Sequence, residues 1–168
     1  IFQYLEGLTA ESGAFAHGVQ RPAMEIPKSA ERLGLFICYE AIFPEISREL
    51  VEKGATVLVN ITNDAWFGLT AAPYQHLAMA AFRAIETGRS VVRVANTGIS
   101  CLISPTGSIS AATELFETKA FVVDAESRTE TTIYVRLGDY LIWICALYLV
   151  VEIVLRRRSA GTCAASRY

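Results

Sequence analysis

The sequence predicts an α/β domain followed by one C-terminal transmembrane helix. Two observations predict the domain: a strand–helix–strand pattern over residues 33–61, and a hairpin signal at Pro105-Thr106-Gly107. A third observation, the apolar segment at residues 140–155 followed by three arginines, predicts the membrane helix. The length of 168 residues suits a single domain, since domains hold about 100–200 residues.

The strand–helix–strand pattern is the best defined part of the chain. Residues 33–38 form a short apolar run, which predicts a buried strand. Pro44 suits the first position of a helix at 44–53, where its missing N–H would have had no partner, and Gly54 suits the position after the end of that helix. The β-branched run at 55–61 predicts a second strand. Such a crossover implies parallel strands that are buried on both faces.

The remaining elements complete the domain. A turn-rich tip, TNDAWFG, follows the second strand, and a helix with small residues on one face is predicted at 73–87. Strands are predicted at 90–95 and 119–124, with the two hairpin strands at 99–104 and 108–112 between them. Residues 1–28 are interrupted by glycine and proline, which predicts a loop with one short helix at most.

The apolar C-terminal segment carries one charged residue, Glu152. Residues 140–155 would span about 24 Å at ~1.5 Å per residue, and a start at residue 137 adds a turn toward the ~30 Å of a hydrocarbon core. Tyr140 and Trp143 suit one membrane interface, and the arginines suit the other. We therefore predict a transmembrane helix at 137–156. A buried core helix is the alternative.

The arginines also predict an orientation. By the positive-inside rule, the basic tail at 157–168 lies in the cytoplasm and the preceding domain lies outside. The net charge of −2, without a basic stripe, argues against nucleic-acid binding.

The cysteines point neither to a metal site nor to a disulfide framework. Cys38, Cys101, Cys145 and Cys163 lack the CxxC or Cys/His spacing of a zinc site. Cys38, however, ends the first predicted strand, where ligands bind in open α/β sheets. A thiol there could attack a carbonyl and form a thioester, with the Tyr39 N–H stabilising the oxyanion. From position alone, a buried and inert thiol is the more common outcome.

Polar residues beside the two strand ends are further candidates. Glu40 is either a base, a hydrogen-bond organiser or an exposed turn residue. Asn63, Asp64 and Trp66 should lie near the end of the first strand, although Asn and Asp are also common turn formers. An exposed tryptophan on a loop usually marks an interaction site. His76 could pair with a cysteine, but its expected position away from the strand ends favours a structural role.

Several segments together resemble the apolipoprotein N-acyltransferase family, a membrane-bound branch of the nitrilase (carbon–nitrogen hydrolase) superfamily. They are ICYE, ITNDAWFG, PYQHLAMAAFRAIETGRSVVRVANTGIS and SPTGSI, and NDAWFG followed by P-x-Q-H is specific. The resemblance implies an αββα sandwich, of which residues 1–126 are the C-terminal half, and a Glu-Lys-Cys triad whose cysteine is Cys38.

The resemblance also implies roles for the neighbouring residues. Tyr39, through its backbone N–H, and Glu40 stand beside the nucleophile. Trp66 stands near the lipid entrance, and with it we expect Asn63 and Asp64 to contribute to substrate binding. No metal or organic cofactor is implied.

The implied reaction is acyl transfer in two steps. A fatty acyl group moves from a phospholipid to Cys38 as a thioester, and then to the N-terminal amine of a diacylglyceryl-cysteine lipoprotein. The implied location is the bacterial inner membrane, in a multi-pass protein whose catalytic domain lies on the periplasmic side.

No residue here matches the triad Glu or Lys. Glu6 and Glu11 have no predicted strand before them, and the sequence around Lys28 does not match the family pattern. We therefore expect the chain, which starts without Met, to be the C-terminal piece of a longer protein and to be inactive by itself. Two alternatives stay open: a nitrilase- or amidase-type hydrolase of a small C–N substrate, also using Cys38, and a membrane-anchored module without catalytic activity.

Overall fold

The computed structural model describes residues 22–165, with the side chains of the last helix described as far as residue 155. Its centre is one six-stranded sheet in which the strands follow their chain order. The strands are β1 Met24–Glu25, β2 Arg32–Ile37, β3 Val57–Asn63, β4 Val91–Asn96, β5 Cys101–Ile103 and β6 Ile109–Ser110. Strands β2, β3 and β4 run parallel to one another, and the other neighbours are antiparallel.

Within residues 22–165, four α-helices and two short 3-10 turns connect and flank these strands. The helices are α1 Pro44–Glu52, α2 Ala72–Thr87, α3 Ile133–Leu137 and α4 Tyr140–Ala165, and the 3-10 turns are Cys38–Ile42 and Ala65–Phe67. Helix α2 ends at Gly88, whose φ of 64° is the left-handed conformation that suits glycine after a helix. The predicted crossover, the second helix and the hairpin are therefore confirmed. Most of the loop predicted at 1–28 lies outside the described residues.

The strand predicted at 119–124 is wrong, because that segment is not paired in the sheet. Phe121 and Val123 instead line a cavity of about 270 Å³ beside Val92 of β4 and Cys101 of β5. Val122, between them, is 95% exposed, so the segment faces the sheet only in part. A continuous apolar run therefore predicted a strand where the chain lies beside the sheet without backbone pairing.

The two faces of the sheet differ in what covers them. The inner face is buried under α1 and α2, with Phe36, Leu58 and Val91 in its core. On the outer face, Ile37, Ile61 and Val94 stand side by side in register and are 65%, 49% and 50% exposed. Within the described part of the chain, the burial predicted for both faces is thus observed on the inner face and only in part on the outer face, where Val57 is buried.

The segment between β6 and the last helix is hydrogen-bonded to the residues that precede β4. The Ser90 hydroxyl donates to the Glu126 carbonyl at 2.9 Å, and the Arg89 guanidinium donates to the Glu130 carbonyl at 2.6 Å. Val135 of α3 is buried in the core. Gly138, with a φ of 58°, then ends α3 and separates it from α4.

Helix α4 starts at Tyr140, three residues later than the predicted membrane helix. Among the residues that the structure describes, no helix meets the length and apolarity required to cross a membrane. The transmembrane helix predicted at 137–156 is therefore not confirmed. The side chains of the basic tail predicted at 157–168 lie outside the described part.

A buried ion pair joins the sheet to the loop after β3. Arg93, fully buried on the inner face, donates to Asp64 Oδ2 at 2.7 Å and to the side-chain oxygen of Asn60. Asn60 in turn donates to the Phe36 carbonyl at 3.2 Å. The remaining carboxylate oxygen of Asp64 accepts from Thr62 at 3.0 Å. One cation therefore connects β2, β3 and β4 with the tip of the neighbouring loop.

Gly34→Ala should destabilise the fold by about 1–3 kcal/mol, the usual cost of overpacking a core. A Cβ on Gly34 would lie 2.6 Å from Leu58 Cδ2 and 2.9 Å from Ala55 Cβ. Chemical denaturation measures the change. Ala78→Ser on the exposed side of α2 is the control, expected within about 0.5 kcal/mol of the parent. A Gly34→Ala variant as stable as the parent would contradict this packing.

Asp64→Asn should cost about 3–5 kcal/mol, because it leaves the Arg93 charge buried without its partner. Glu52→Gln is the matched control, since it removes a partly exposed ion pair with Arg48 that should contribute at most about 1 kcal/mol. Comparison of the two unfolding free energies tests the assignment. Equal losses would mean that Arg93 is not held by Asp64.

Candidate active site

Cys38 occupies a strained backbone position at the carboxyl end of β2. It opens the 3-10 turn with a φ of +50°, in the left-handed region that residues with a side chain rarely adopt. Such strain costs about 1–3 kcal/mol, persists only where the surroundings hold it, and clusters at functional sites. The side chain is partly exposed. The turn thus presents a thiol at the edge of the sheet where ligands bind in α/β folds.

Two side-chain hydrogen bonds brace the turn in addition to its backbone hydrogen bonds, one on each side of Cys38. Before it, the Ile37 N–H donates to Glu40 Oε2 at 2.7 Å. After it, His76 Nε2 lies 3.1 Å from the Cys38 carbonyl oxygen. Because a carbonyl oxygen can only accept, Nε2 is the donor. Glu40 therefore accepts a hydrogen bond at the start of the turn, and its supporting part in catalysis stays a prediction.

His76 connects this turn to the buried ion pair. Its ring is 3% exposed, and Nδ1 lies 3.0 Å from Asp64 Oδ1. The edge of Phe67 packs against it at 5.9 Å between ring centroids, and the Tyr39 ring lies at 6.4 Å. The expectation that His76 stands away from the strand ends is wrong. Its spacing of four residues from Ala80, on the buried face of α2, was the available signal.

The three predicted residues of the NDAWFG loop separate into different environments. Asp64 is buried beneath the turn, with its carboxylate bonded to Arg93 and Thr62 and with His76 Nδ1 3.0 Å from Oδ1. Asn63 braces the loop, accepting from the Ala65 N–H at 3.1 Å. Trp66 is 88% exposed. Substrate contact stays a prediction for all three residues, and the geometry suits Trp66 best.

Tyr39 and its neighbour Phe43 form an exposed aromatic pair beside the thiol. Their rings meet edge to face at 6.2 Å, and the Tyr39 ring is 58% exposed. The structure thus brings Cys38, Tyr39 and Glu40 together on one turn and places Asp64 below it through His76. Trp66 lies on the loop whose Phe67 contacts the same histidine.

Cys101 and Cys38 differ in their surroundings and therefore in their expected reactivity. Burial raises the pKa of the Cys101 thiol to about 11, although Arg93 opposes the shift, so that thiol stays neutral and unreactive at ordinary pH. Cys38 lies instead on a partly exposed turn. Within the described residues, no group of three or more His, Cys, Asp or Glu side chains is placed to hold a metal ion.

Comparison with known proteins gives one family. Residues 3–134 match the family model described as carbon-nitrogen hydrolase. An apolipoprotein N-acyltransferase of Geobacter metallireducens is 40% identical over 161 residues, which cover 95% of this chain and 30% of that protein. That of Bradyrhizobium diazoefficiens is 42% identical over 156 residues, with coverages of 92% and 28%. The chain spans less than a third of the length of these relatives.

A solved structure shares the fold. The carbon–nitrogen hydrolase from Helicobacter pylori superposes with a TM-score of 0.53 at 17% identity, over 62% of this chain and 43% of that chain. The predicted resemblance is thereby confirmed at the level of a mixed α/β, nitrilase-like fold. The family match covers most of the chain, and this protein therefore belongs to the carbon–nitrogen hydrolase family.

Proposed function

We propose that this chain is the C-terminal part of an apolipoprotein N-acyltransferase in which Cys38 is the nucleophile. The observation that carries the proposal is the strained, partly exposed Cys38 on a turn braced from both sides. The 34–46% identity to proteins with that name supports the choice of reaction within the family. We also propose that the chain is inactive by itself, because the triad Glu and Lys have no match in it.

In the first step, Cys38 Sγ attacks the carbonyl carbon of a phospholipid acyl ester. The S–C bond forms while the carbonyl electron pair moves onto oxygen. The triad Glu, in the upstream part of the longer protein, takes the thiol proton. When the oxyanion collapses, the C–O bond breaks, and that proton goes to the leaving lysophospholipid oxygen.

In the second step, the α-amine of a diacylglyceryl-cysteine lipoprotein attacks the thioester carbon. The N–C bond forms, the S–C bond breaks, and one amine proton is transferred through the Glu so that the thiol is regenerated. A thioester is a good acyl donor to an amine, which favours this order. In both steps the Tyr39 N–H and the triad Lys stabilise the oxyanion.

The exposed outer face of the sheet supports a larger fold. Ile37, Ile61 and Val94 present apolar surface that would gain about 25 cal/mol per Å² if it were buried. We propose that residues 1–126 form the C-terminal half of an αββα sandwich. The second sheet, from the upstream part of the protein, then covers this face.

Helix α4 supports a place at a membrane. Trp143, Leu147 and Val151 are 75%, 65% and 46% exposed, and Leu141 and Ile144 on other sides of the helix are 59% and 56% exposed. A helix that is apolar all round is usually buried in a large protein or in lipid. We propose that residues 137–156 span the bacterial inner membrane, with the tail at 157–168 in the cytoplasm and the catalytic domain on the periplasmic side.

Cys38→Ser in the full-length protein should abolish acyl-enzyme formation, because an alcohol needs a stronger base than a thiol does. Incubation with a phospholipid that carries a labelled acyl chain, followed by mass spectrometry of the peptide that contains position 38, measures it. Cys145→Ser, at an exposed cysteine of α4, is the matched control and should keep the label. Label retained by the Cys38→Ser variant would remove Cys38 as nucleophile.

Trp66→Ala should raise KM for the phospholipid by about 30-fold, the loss typical of an aromatic contact residue. Since the ring is 88% exposed, its truncation leaves no cavity, and the melting temperature should stay within about 2 °C. Val122→Ala, at a side chain 95% exposed on another segment, controls for loss of surface apolar area. An unchanged KM with a large fall in melting temperature would instead assign Trp66 to packing.

A further inference from the structure

We propose that His76 is a positioning residue that fixes the plane of the Cys38–Tyr39 peptide and so aims the Tyr39 N–H at the oxyanion. This inference rests on the proposed function, because it gives His76 a part in the acylation of Cys38. It assigns to a buried helical residue a role in the orientation of the donor, without contact with the substrate.

The geometry of one peptide unit carries the inference. His76 Nε2 donates to the Cys38 carbonyl oxygen at 3.1 Å. That oxygen belongs to the same planar unit as the Tyr39 N–H, and the peptide is trans. In a trans peptide, C=O and N–H point in opposite directions. A carbonyl held toward α2 therefore turns the Tyr39 N–H away from the buried histidine.

The histidine is itself held in place. Asp64 Oδ1 lies 3.0 Å from Nδ1, and Asp64 is fixed in turn by Arg93 at 2.7 Å and Thr62 at 3.0 Å. The ring is 3% exposed, and Phe67 packs against it. Hydrogen bonds are stronger in such a buried environment. They therefore fix the His76 ring, and through it the Cys38–Tyr39 peptide plane, relative to the sheet.

Without the His76 donor, the peptide plane would lose the side-chain restraint that ties it to α2. Cys38 has a φ of +50°, and a strained conformation relaxes when its surroundings no longer hold it. A pre-oriented donor contributes to rate because it needs no reorganisation during the reaction, and removal of one oxyanion donor costs about 10²–10³ in rate. A donor that is present but not aimed should cost about 10–100-fold.

Three substitutions separate this role from general support of the fold. His76→Asn keeps a polar group near the position of Nδ1, facing Asp64, but is too short to reach the Cys38 carbonyl. His76→Gln places an amide N–H near the position of Nε2 and is the conservative rescue. His76→Met fills a similar volume without any donor. In the full-length protein, the single-turnover acylation rate of Cys38 should fall about 30-fold in H76N and less than about 5-fold in H76Q.

Alkylation by iodoacetamide provides the control reaction. The thiolate displaces iodide from carbon, so that an S–C bond forms and a C–I bond breaks, and no carbonyl oxygen becomes an oxyanion. Its rate depends on thiol exposure and thiolate character alone. We therefore expect alkylation of Cys38 at the parent rate in H76N. Cys101, 1% exposed and with a pKa of about 11, should stay unlabelled in every folded variant.

The ratio of acylation rate to alkylation rate tests whether His76 orients the Tyr39 N–H. A ratio about 30-fold lower in H76N and restored in H76Q supports the proposal. A parent-like ratio in H76N overturns it, whether both rates are unchanged or both fall together. If labelling of Cys101 shows that H76N is unfolded, H76M takes its place with the same expected ratio. A parent protein that forms no acyl-Cys38 would overturn the proposed function, and this inference with it.

Discussion

The buried pair of Arg93 and Asp64 is the interaction on which the rest of the site depends. Both side chains are removed from water, at 0% and 1% exposure. Isolated charges in such a place would be strongly unfavourable, and an ion pair compensates only when further hydrogen bonds complete it. Asn60 and Thr62 supply those bonds from β3, and His76 Nδ1 from α2 lies 3.0 Å from Asp64 Oδ1 and 3.2 Å from the Arg93 guanidinium. The pair therefore fixes a loop and a helix relative to the sheet.

This arrangement explains how a strained turn is kept at a sheet edge. The inner face of the sheet is apolar at the level of Leu58 and Val91 and becomes polar one step nearer to the carboxyl ends of the strands. Polar groups at that level can reach main-chain atoms of the turn, which aliphatic side chains cannot hold in a given orientation. The strain at Cys38 is thus balanced by directional contacts rather than by packing alone.

The inner and outer surfaces of the chain contrast strongly. On the inner side, the buried Arg93 is paired with Asp64 and the buried Arg83 with Glu86. The outer sheet face and α4 expose large apolar side chains instead. Exposed apolar surface of this kind usually marks a contact site. The described residues therefore combine a well-packed inner layer with an exposed apolar outer surface.

Local sequence signals determined the elements around the candidate site. Pro44 and Gly54 bound α1, and the end of β2 at Cys38 follows from a short apolar run, because these signals act between neighbours in the chain. A similar short apolar run failed as a predictor at residues 119–124, since it does not distinguish a paired strand from a segment lying beside a sheet. The apolar character of 140–155 likewise specified a helix without specifying its surroundings.

The tertiary structure alone decided what the polar residues do. Asp64 turned out to lie beneath the turn, and His76, 38 residues from Cys38 in the chain, turned out to hold its carbonyl. A hydrogen bond depends on distance and direction between atoms, and these are set by how the helices dock on the sheet. Composition and spacing encode which groups are available. The packing of distant segments determines which of them meet.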